Sequence, residues 1–364
     1  MRSREFAAIL DTLASSVFRR GIRLFLPIIA SSFLSLLFEL ARLYPRNPWP
    51  PLTLPGHETS WIAQICDWFL NVLEILNPFQ NINIGDPHPP PYDAHLWTIP
   101  VEFRGSIVIF LVLLALAKAR NGIRLLIVGM LVFYVLWIGH WEMGLFLGGT
   151  FLADLQFLRR DLFPPRPSGL LDSPESPTPH PFSPKSSILH HHKILLHLLT
   201  IPLFLLGLFL VSFPDLNSES TPGYIHIHAW TPLEYRTFYL TQKFWDTVGA
   251  LILLTAISFS PPLGSSDDGT PLLQMPFNTR LAQYLGDISF SLYLVHGPMI
   301  YGFGWAMLQD SKQQSPEIYW WGFVKCFAVV GGLSLWGADL FMRFIDVPSV
   351  GFGKWLADKG WVNE

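Results

Sequence analysis

The sequence predicts an all-α integral membrane protein with about eight transmembrane helices. Half of the 364 residues are apolar and only 14% are charged, whereas soluble globular proteins carry about 25% charged residues. The mean hydropathy is +0.35. Eight apolar runs approach the roughly 20 residues that a helix needs to cross a bilayer. These features exclude an ordinary cytosolic domain, and a net charge of −3 gives no basic surface for nucleic acid.

The apolar runs follow one another along the whole chain, which we take as one domain of residues 1–364. Their approximate bounds are Gly21–Leu40, Leu96–Ala117, Ile123–Gly139, Met143–Leu158, Ile194–Phe213, Phe244–Ser260, Leu281–Tyr301 and Tyr319–Phe344. Most Lys and Arg residues fall on one side if both termini are cytoplasmic, as the positive-inside rule requires. We therefore expect a multi-pass protein with both termini in the cytoplasm.

Two of the connecting segments have distinct compositions. Residues from about 162 to 187 form a Pro/Ser-rich tract, which we expect to be a disordered cytoplasmic loop because it cannot bury enough apolar surface. The long outer loop Tyr44–His95 instead carries apolar residues at helical spacing, which predicts an amphipathic helix on the outer membrane face. These residues are Trp61, Ile62, Ile65, Trp68, Phe69, Val72 and Ile75.

The second run places two charged residues within an apolar segment, which begins His-Leu-Trp-Thr-Ile-Pro-Val-Glu-Phe-Arg-Gly-Ser from His95. Charges inside a membrane usually face the bundle interior and mark a site. Glu102 and Arg104 are two apart, so on a helix they need separate partners. Alternatively, Glu102 stabilises the first helical turn after Pro100 and Arg104 extends toward the membrane surface.

The seventh run places Ser289, Tyr293 and His296 on one helical face by i, i+4, i+7 spacing. With antiparallel spans, Glu102 and His296 lie at similar depth at 1.5 Å rise per residue, and this pair could perform acid/base chemistry on a hydroxyl. A histidine that only makes structural hydrogen bonds is the alternative interpretation.

Arg19, Arg20 and Arg23 lie at the start of the first run, and their guanidinium groups suit phosphate oxygens. They could equally be positive-inside topology markers. The other histidines lack further ligands at metal-site spacing, so we predict no metal and no bound cofactor.

Three segments resemble the membrane-bound acyltransferase 3 family, especially its fungal branch. Phe18-Arg-Arg-Gly-Ile-Arg-Leu-Phe-Leu-Pro27 resembles the arginine-rich segment that the family associates with acyl-CoA phosphates. The His95–Ser106 segment is similar to the Trp-Ser/Thr-Leu-x-x-Glu signature. Leu285-Gly-Asp-Ile-Ser-Phe-Ser-Leu-Tyr-Leu-Val-His296 is similar to the family's late Leu-Gly-x-x-Ser-Tyr-x-x-Tyr-Leu-x-His helix.

The resemblance implies an O-acyltransferase that moves an acyl group, expected to be acetyl, from acyl-CoA to a hydroxyl of a lipophilic metabolite or a carbohydrate. It implies that acyl-CoA is the co-substrate and that the protein lies in the lipid bilayer. The expected membrane is the endoplasmic reticulum or another endomembrane. Arg19, Arg20 and Arg23 would bind CoA, Glu102 and His296 would be catalytic, and Arg104 and Tyr293 would bind substrate.

The eight runs correspond to a ten-helix family core without its first two helices, the first of which carries an Arg-Gly pair and a catalytic histidine in family members. A small-metabolite transporter or flippase and a catalytically inactive truncated family member therefore remain alternatives.

Overall fold

The computed structural model describes residues 2–45, 54–79, 90–162, 184–237, 240–263, 269–309 and 316–360. These ranges are mainly helical and contain no β-strand. Most of the predicted Pro/Ser-rich loop, residues 163–183, lies outside the described residues. The α-helices are α1 (Arg2–Leu40), α2 (Trp61–Ile75), α3 (Thr98–Ala115), α4 (Asn121–Trp137), α5 (Trp141–Leu162), α6 (Pro184–Val211), α7 (Ile225–Ala229), α8 (Leu240–Phe259), α9 (Arg280–Asp287), α10 (Ser289–Met299), α11 (Trp305–Gln309), α12 (Pro316–Phe341) and α13 (Val347–Gly360).

The chain divides into two compact units. The first unit comprises residues 1–110 and 283–364, and the second comprises residues 111–282. Every residue that the sequence predicted for the site belongs to the first unit.

The first unit is built around the long helix α1, which packs against α2, α10 and α13, while α10 also packs against α12. Its buried apolar core contains Leu24, Ile28, Ile75, Leu96, Ile99, Ile288, Leu294, Val295, Ala338 and Phe341. The Ser31 hydroxyl donates to the Leu294 carbonyl at 2.8 Å. This hydrogen bond fixes the level of α10 along α1.

The second unit depends on close approach between α6 and α8, with α4 and α5 packed beside them. A Cβ atom added to Gly207 would lie 2.6 Å from Leu253 Cγ, and one added to Gly249 would lie 2.8 Å from the Val211 backbone nitrogen. The two glycines therefore allow the helix backbones to come together, as small residues do in membrane bundles.

Four helical segments are long and apolar enough to cross a membrane within the described residues. They are Leu10–Leu40, Ala94–Ala115, Lys193–Val211 and Tyr319–Gly360, and they correspond to the first, second, fifth and eighth predicted spans. The third predicted span forms the shorter apolar helix α4. An all-α membrane protein is thus confirmed, whereas the number of eight spans stays a prediction.

Two predicted spans differ from the observed helices. The predicted span Leu281–Tyr301 is divided between α9 and α10, and a single π-helical turn follows at Ile300–Gly304. The last span is longer than predicted, because a second π-helical turn at Met342–Asp346 joins α12 to α13. A turn of this kind keeps the chain helical while shifting the face that its side chains present.

The amphipathic helix predicted in the long outer loop is confirmed as α2. It begins after Ser60, whose hydroxyl accepts a hydrogen bond from the Ala63 amide. The Tyr92 hydroxyl donates to the Asp67 carboxylate at 2.8 Å and accepts from the Gln64 amide at 2.9 Å. Burial raises the pKa of Tyr92 above its ordinary range, so its phenol keeps its proton. These contacts anchor α2 to the chain just before the second span.

Candidate active site

An arginine and a glutamate that the sequence assigned to different roles form an ion pair. Arg20 on α1 donates from Nη2 to Glu102 Oε1 on α3 at 2.6 Å, and from Nε to Ser106 Oγ at 2.9 Å. Phe103 packs on Phe25 with ring centroids 5.2 Å apart beside them. Both charges are partly buried, which strengthens their attraction relative to a pair in open solvent.

The other predicted charged residues lie near this pair along the same two helices. Arg19 Nε donates to the Ser15 carbonyl at 3.1 Å, and Arg23 lies within electrostatic range of Asp346. The buried Nε of Arg104 has no hydrogen-bond partner among the described residues. The three arginines thus make different contacts, and Arg20 is tied most directly to the predicted site.

His296 contacts a histidine that the sequence analysis left without a role. Its ring lies 4.3 Å from the ring of His95, centroid to centroid. The His296 Nδ1 atom lies 2.6 Å from the Tyr293 carbonyl. Because a carbonyl can only accept, Nδ1 carries the proton in the neutral ring and Nε2 carries the lone pair.

Glu102 lies seven residues after His95, about 10 Å at the rise of an α-helix. The ion pair with Arg20 therefore places Glu102 at the level of the arginines, not at the level of the histidines as the depth estimate expected. That estimate counted the depth of each residue from the predicted end of its own span. The observed contacts instead place Glu102 beside Arg20 on α1 and His296 beside His95. The first unit thus has an arginine end and a histidine end.

Tyr293 holds the backbone at the start of the second span. Its hydroxyl donates to the His95 carbonyl at 2.5 Å and lies 2.6 Å from Thr98 Oγ1. The contact links α10 to the short 3₁₀ turn Ala94–Trp97. The sequence predicted substrate binding for Tyr293, and the structure adds this positioning contact to that prediction.

Asp93 and Glu39 are buried carboxylates that the sequence analysis missed. Asp93 is 1% exposed and lies beside His95, while Glu39 is 2% exposed and contacts His57. The i, i+4, i+8 series Ser31, Ser35 and Glu39 on an apolar helix was the available signal for Glu39. Asp93 had no such signal, because it precedes the span and reads as a loop residue.

The sequence of almost the whole chain is similar to that of known proteins. Residues 10–339 match a family model described as the acyltransferase domain of the acyltransferase 3 family. The chain is 26% identical over 373 residues to O-acetyltransferase PaAT-1 of Phomopsis amygdali, covering 97% of this chain and 69% of that protein.

Two further relatives carry related names. Acyltransferase clz18 of Cochliobolus lunatus is 23% identical, with coverage of 94% of this chain and 71% of that protein. Acyltransferase R4 of a Phoma species is 23% identical, with coverage of 94% and 72%. No solved structure matches the chain. Because the family model covers most of its length and both compact units, the chain belongs to the acyltransferase 3 family.

Proposed function

We propose that the protein is a membrane-bound O-acyltransferase that moves an acetyl group from acetyl-CoA to a hydroxyl of a lipophilic metabolite or a carbohydrate. The observation that carries the proposal is the Arg20–Glu102 ion pair in a chain of this family, because it fixes a guanidinium group, which is suited to phosphate, within the apolar helices of the first unit. The relative from Phomopsis amygdali is an O-acetyltransferase by name, which supports acetyl as the group transferred.

In this proposal the arginine end binds the donor. Arg20 contacts the CoA phosphates together with Arg19 and Arg23, since guanidinium groups form paired hydrogen bonds to phosphate oxygens. Glu102 holds Arg20 in position, and the buried Nε of Arg104 is available for an oxygen atom of a substrate.

The histidine end accommodates the thioester and the acceptor hydroxyl. Ser31, whose hydroxyl reaches α10, lies 11 residues along α1 from Arg20, a rise of about 16 Å. An elongated donor such as acyl-CoA suits two ends separated in this way. His296 faces the reacting groups, and Tyr293 positions the turn that carries His95.

We further propose that both units act as one domain, with eight spans and both termini in the cytoplasm. The match of residues 10–339 to a single family model supports one domain, and the distribution of Lys and Arg supports this orientation. An endomembrane such as the endoplasmic reticulum would then present the arginine end to cytoplasmic acyl-CoA.

The test uses the full chain, purified and returned to lipid nanodiscs, with radiolabelled acetyl-CoA. Farnesol and octyl glucoside serve as probes that carry an alkyl hydroxyl and sugar hydroxyls. We expect a labelled ester and free CoA in equal amounts. Arg20→Ala should raise the KM for acetyl-CoA by about tenfold or more, the loss of one charge-assisted contact of about 1.5–3 kcal/mol.

Arg160→Ala is the matched control, because Arg160 is exposed on α5 and its loss should leave the KM unchanged. Wild-type protein that neither binds acetyl-CoA nor consumes it would overturn the proposed function. In sealed proteoliposomes, movement of either probe across the bilayer without any need for acetyl-CoA would favour a transporter instead.

A further inference from the structure

Asp93 and His95 form a carboxylate–imidazole pair that has no role in the function proposed so far. Asp93 Oδ1 lies 3.2 Å from His95 Nδ1 and also accepts a hydrogen bond from the His95 backbone amide at 3.2 Å. The Asp93 side chain is fully buried, whereas the His95 side chain is 33% exposed. An incoming molecule can therefore reach the imidazole but not the carboxylate.

Three contacts fix the position of His95. Its carbonyl accepts from the Tyr293 hydroxyl, and its ring lies against His296 on one side. The Tyr301 ring is nearly parallel to it, at a 6.3 Å centroid distance and a 20° interplanar angle. A side chain that must transfer a proton in a defined direction needs this kind of fixed orientation.

Gly297 makes room for the pair on α10. A Cβ atom at this position would lie 2.7 Å from Asp93 Oδ1 and 3.1 Å from His95 Nδ1. Any larger residue would push the pair away from the helix. The dipeptide His296-Gly297 thus supplies one imidazole and the space for another.

The pairing decides which nitrogen of His95 can accept a proton. A carboxylate accepts the Nδ1–H hydrogen bond, which leaves the lone pair on Nε2 and stabilises the positive ring that forms when Nε2 is protonated. The ring of His296 is held by the Tyr293 carbonyl, a neutral acceptor. Of the two neighbouring imidazoles, His95 is therefore the one that a carboxylate orients.

We propose that His95, oriented by Asp93, is the general base that removes the proton of the acceptor hydroxyl in the acyl transfer. This assignment rests on the proposed function. It makes His95 a catalytic residue and Asp93 a positioning residue, and His296 completes the wall beside the reacting groups.

The atoms of the step balance without another reactant. The hydroxyl oxygen attacks the thioester carbonyl carbon as its proton moves to His95 Nε2, and a new C–O bond forms. The tetrahedral intermediate then collapses with cleavage of the C–S bond. The proton passes from Nε2 to the departing thiolate, so the products are the ester and CoA with its free thiol.

The test compares wild-type protein with His95→Gln and Asp93→Asn in nanodiscs, with acetyl-CoA and the two acceptor probes. We expect His95→Gln to lower kcat by about 10²–10⁴-fold, the usual contribution of a general base, with little change in the KM for acetyl-CoA. Added imidazole should restore part of the activity of His95→Ala.

Asp93→Asn separates a catalytic role from a structural one. The asparagine oxygen can take the place of Oδ1, which receives both contacts from His95, and so keeps the cap of the turn. Asparagine lacks the negative charge that stabilises the ring when Nε2 is protonated. We expect the melting temperature to hold while kcat falls by about tenfold or more. If Asp93 had a purely structural role, the substitution would lower both the melting temperature and kcat, or neither of them.

The pH profile of kcat/KM gives a second readout. The wild-type profile should have an acid limb that is absent from the residual activity of His95→Gln. Within the part of the chain that the structure describes, the titratable groups facing His95 are Asp93, Tyr293, His296 and Tyr301, and Tyr44 faces Asp93. The variant His226→Gln, which removes an exposed histidine from α7, should keep the wild-type rate and profile.

The outcomes distinguish this inference from the proposed function. An active wild-type enzyme whose His95→Gln variant stays within about threefold of its kcat, with an unchanged acid limb, overturns the assignment alone. Failure of imidazole to rescue a folded His95→Ala variant would also count against it. If wild-type protein does not use acetyl-CoA at all, the proposed function falls and this assignment with it.

Discussion

Arg20 and Glu102 demonstrate how two helices can hold opposite charges within largely apolar segments. A single unpaired charge in such surroundings would raise the free energy of the folded chain. Here Arg20 is paired with Glu102 and also donates a hydrogen bond to the Ser106 hydroxyl. The sequence identified both residues as unusual but assigned Arg20 to CoA binding and Glu102 to catalysis. Helix spacing gives the face on which a residue lies, but it does not reveal which face of another helix packs there.

The ion pair leads to a prediction of energetic coupling. Arg20→Ala and Glu102→Gln should each lower the melting temperature in detergent, because each leaves the other partly buried charge without its partner. The double variant should be less destabilised than the sum, with a coupling of about 0.5–3 kcal/mol.

A double-mutant cycle of thermal unfolding measures this coupling. Glu219→Gln is the control, since Glu219 is exposed and should show no coupling to Arg20. A coupling of zero for the Arg20–Glu102 pair would mean that the contact does not stabilise the folded chain.

At the scale of elements, helix packing in this chain depends on where glycine permits close approach. Gly207 and Gly249 lie at the contact of α6 with α8, and Gly297 lies where α10 meets the turn before α3. Hydropathy predicted most of these helices, because the cost of exposing backbone to lipid makes long apolar segments helical. It did not predict the division of the seventh run or the two π-helical turns, which depend on packing.

A pair of glycine substitutions tests this packing. Gly249→Ala should destabilise the protein by about 1–3 kcal/mol, because the added Cβ would meet the Val211 backbone, which cannot rotate away. Gly149→Ala is the matched control on α5, where a Cβ would meet nothing within 4 Å. Alanine favours the helix there, so its melting temperature should stay the same or rise. Equal melting temperatures for the two variants would contradict this account.

At the scale of the whole molecule, the described helices form two compact units, and the predicted site lies in the first. The second unit belongs to the same family match, so it forms part of the proposed single domain. The orientation proposed for the chain in the membrane rests on the distribution of Lys and Arg alone, and it is open to direct measurement.

Glycosylation mapping tests the orientation. The sequence contains no Asn-x-Ser/Thr site. An acceptor site inserted after Ser220 should therefore be glycosylated in microsomes, because the proposed topology places that loop in the lumen. The same insertion after residue 175, in the predicted cytoplasmic loop, should stay unmodified. The reverse pattern would invert the predicted topology, and modification at both positions would contradict a uniform orientation.

The amino-acid sequence by itself determined the class of molecule, the helix α2, most of the helical segments and the family. These follow from composition, periodicity and short motifs, which act locally along the chain. Only the tertiary structure joined Arg20 to Glu102 and His95 to His296, and only it revealed the buried carboxylate of Asp93. Such pairs arise from the packing of segments that lie far apart in the chain, and no local pattern encodes which side chains that packing brings together.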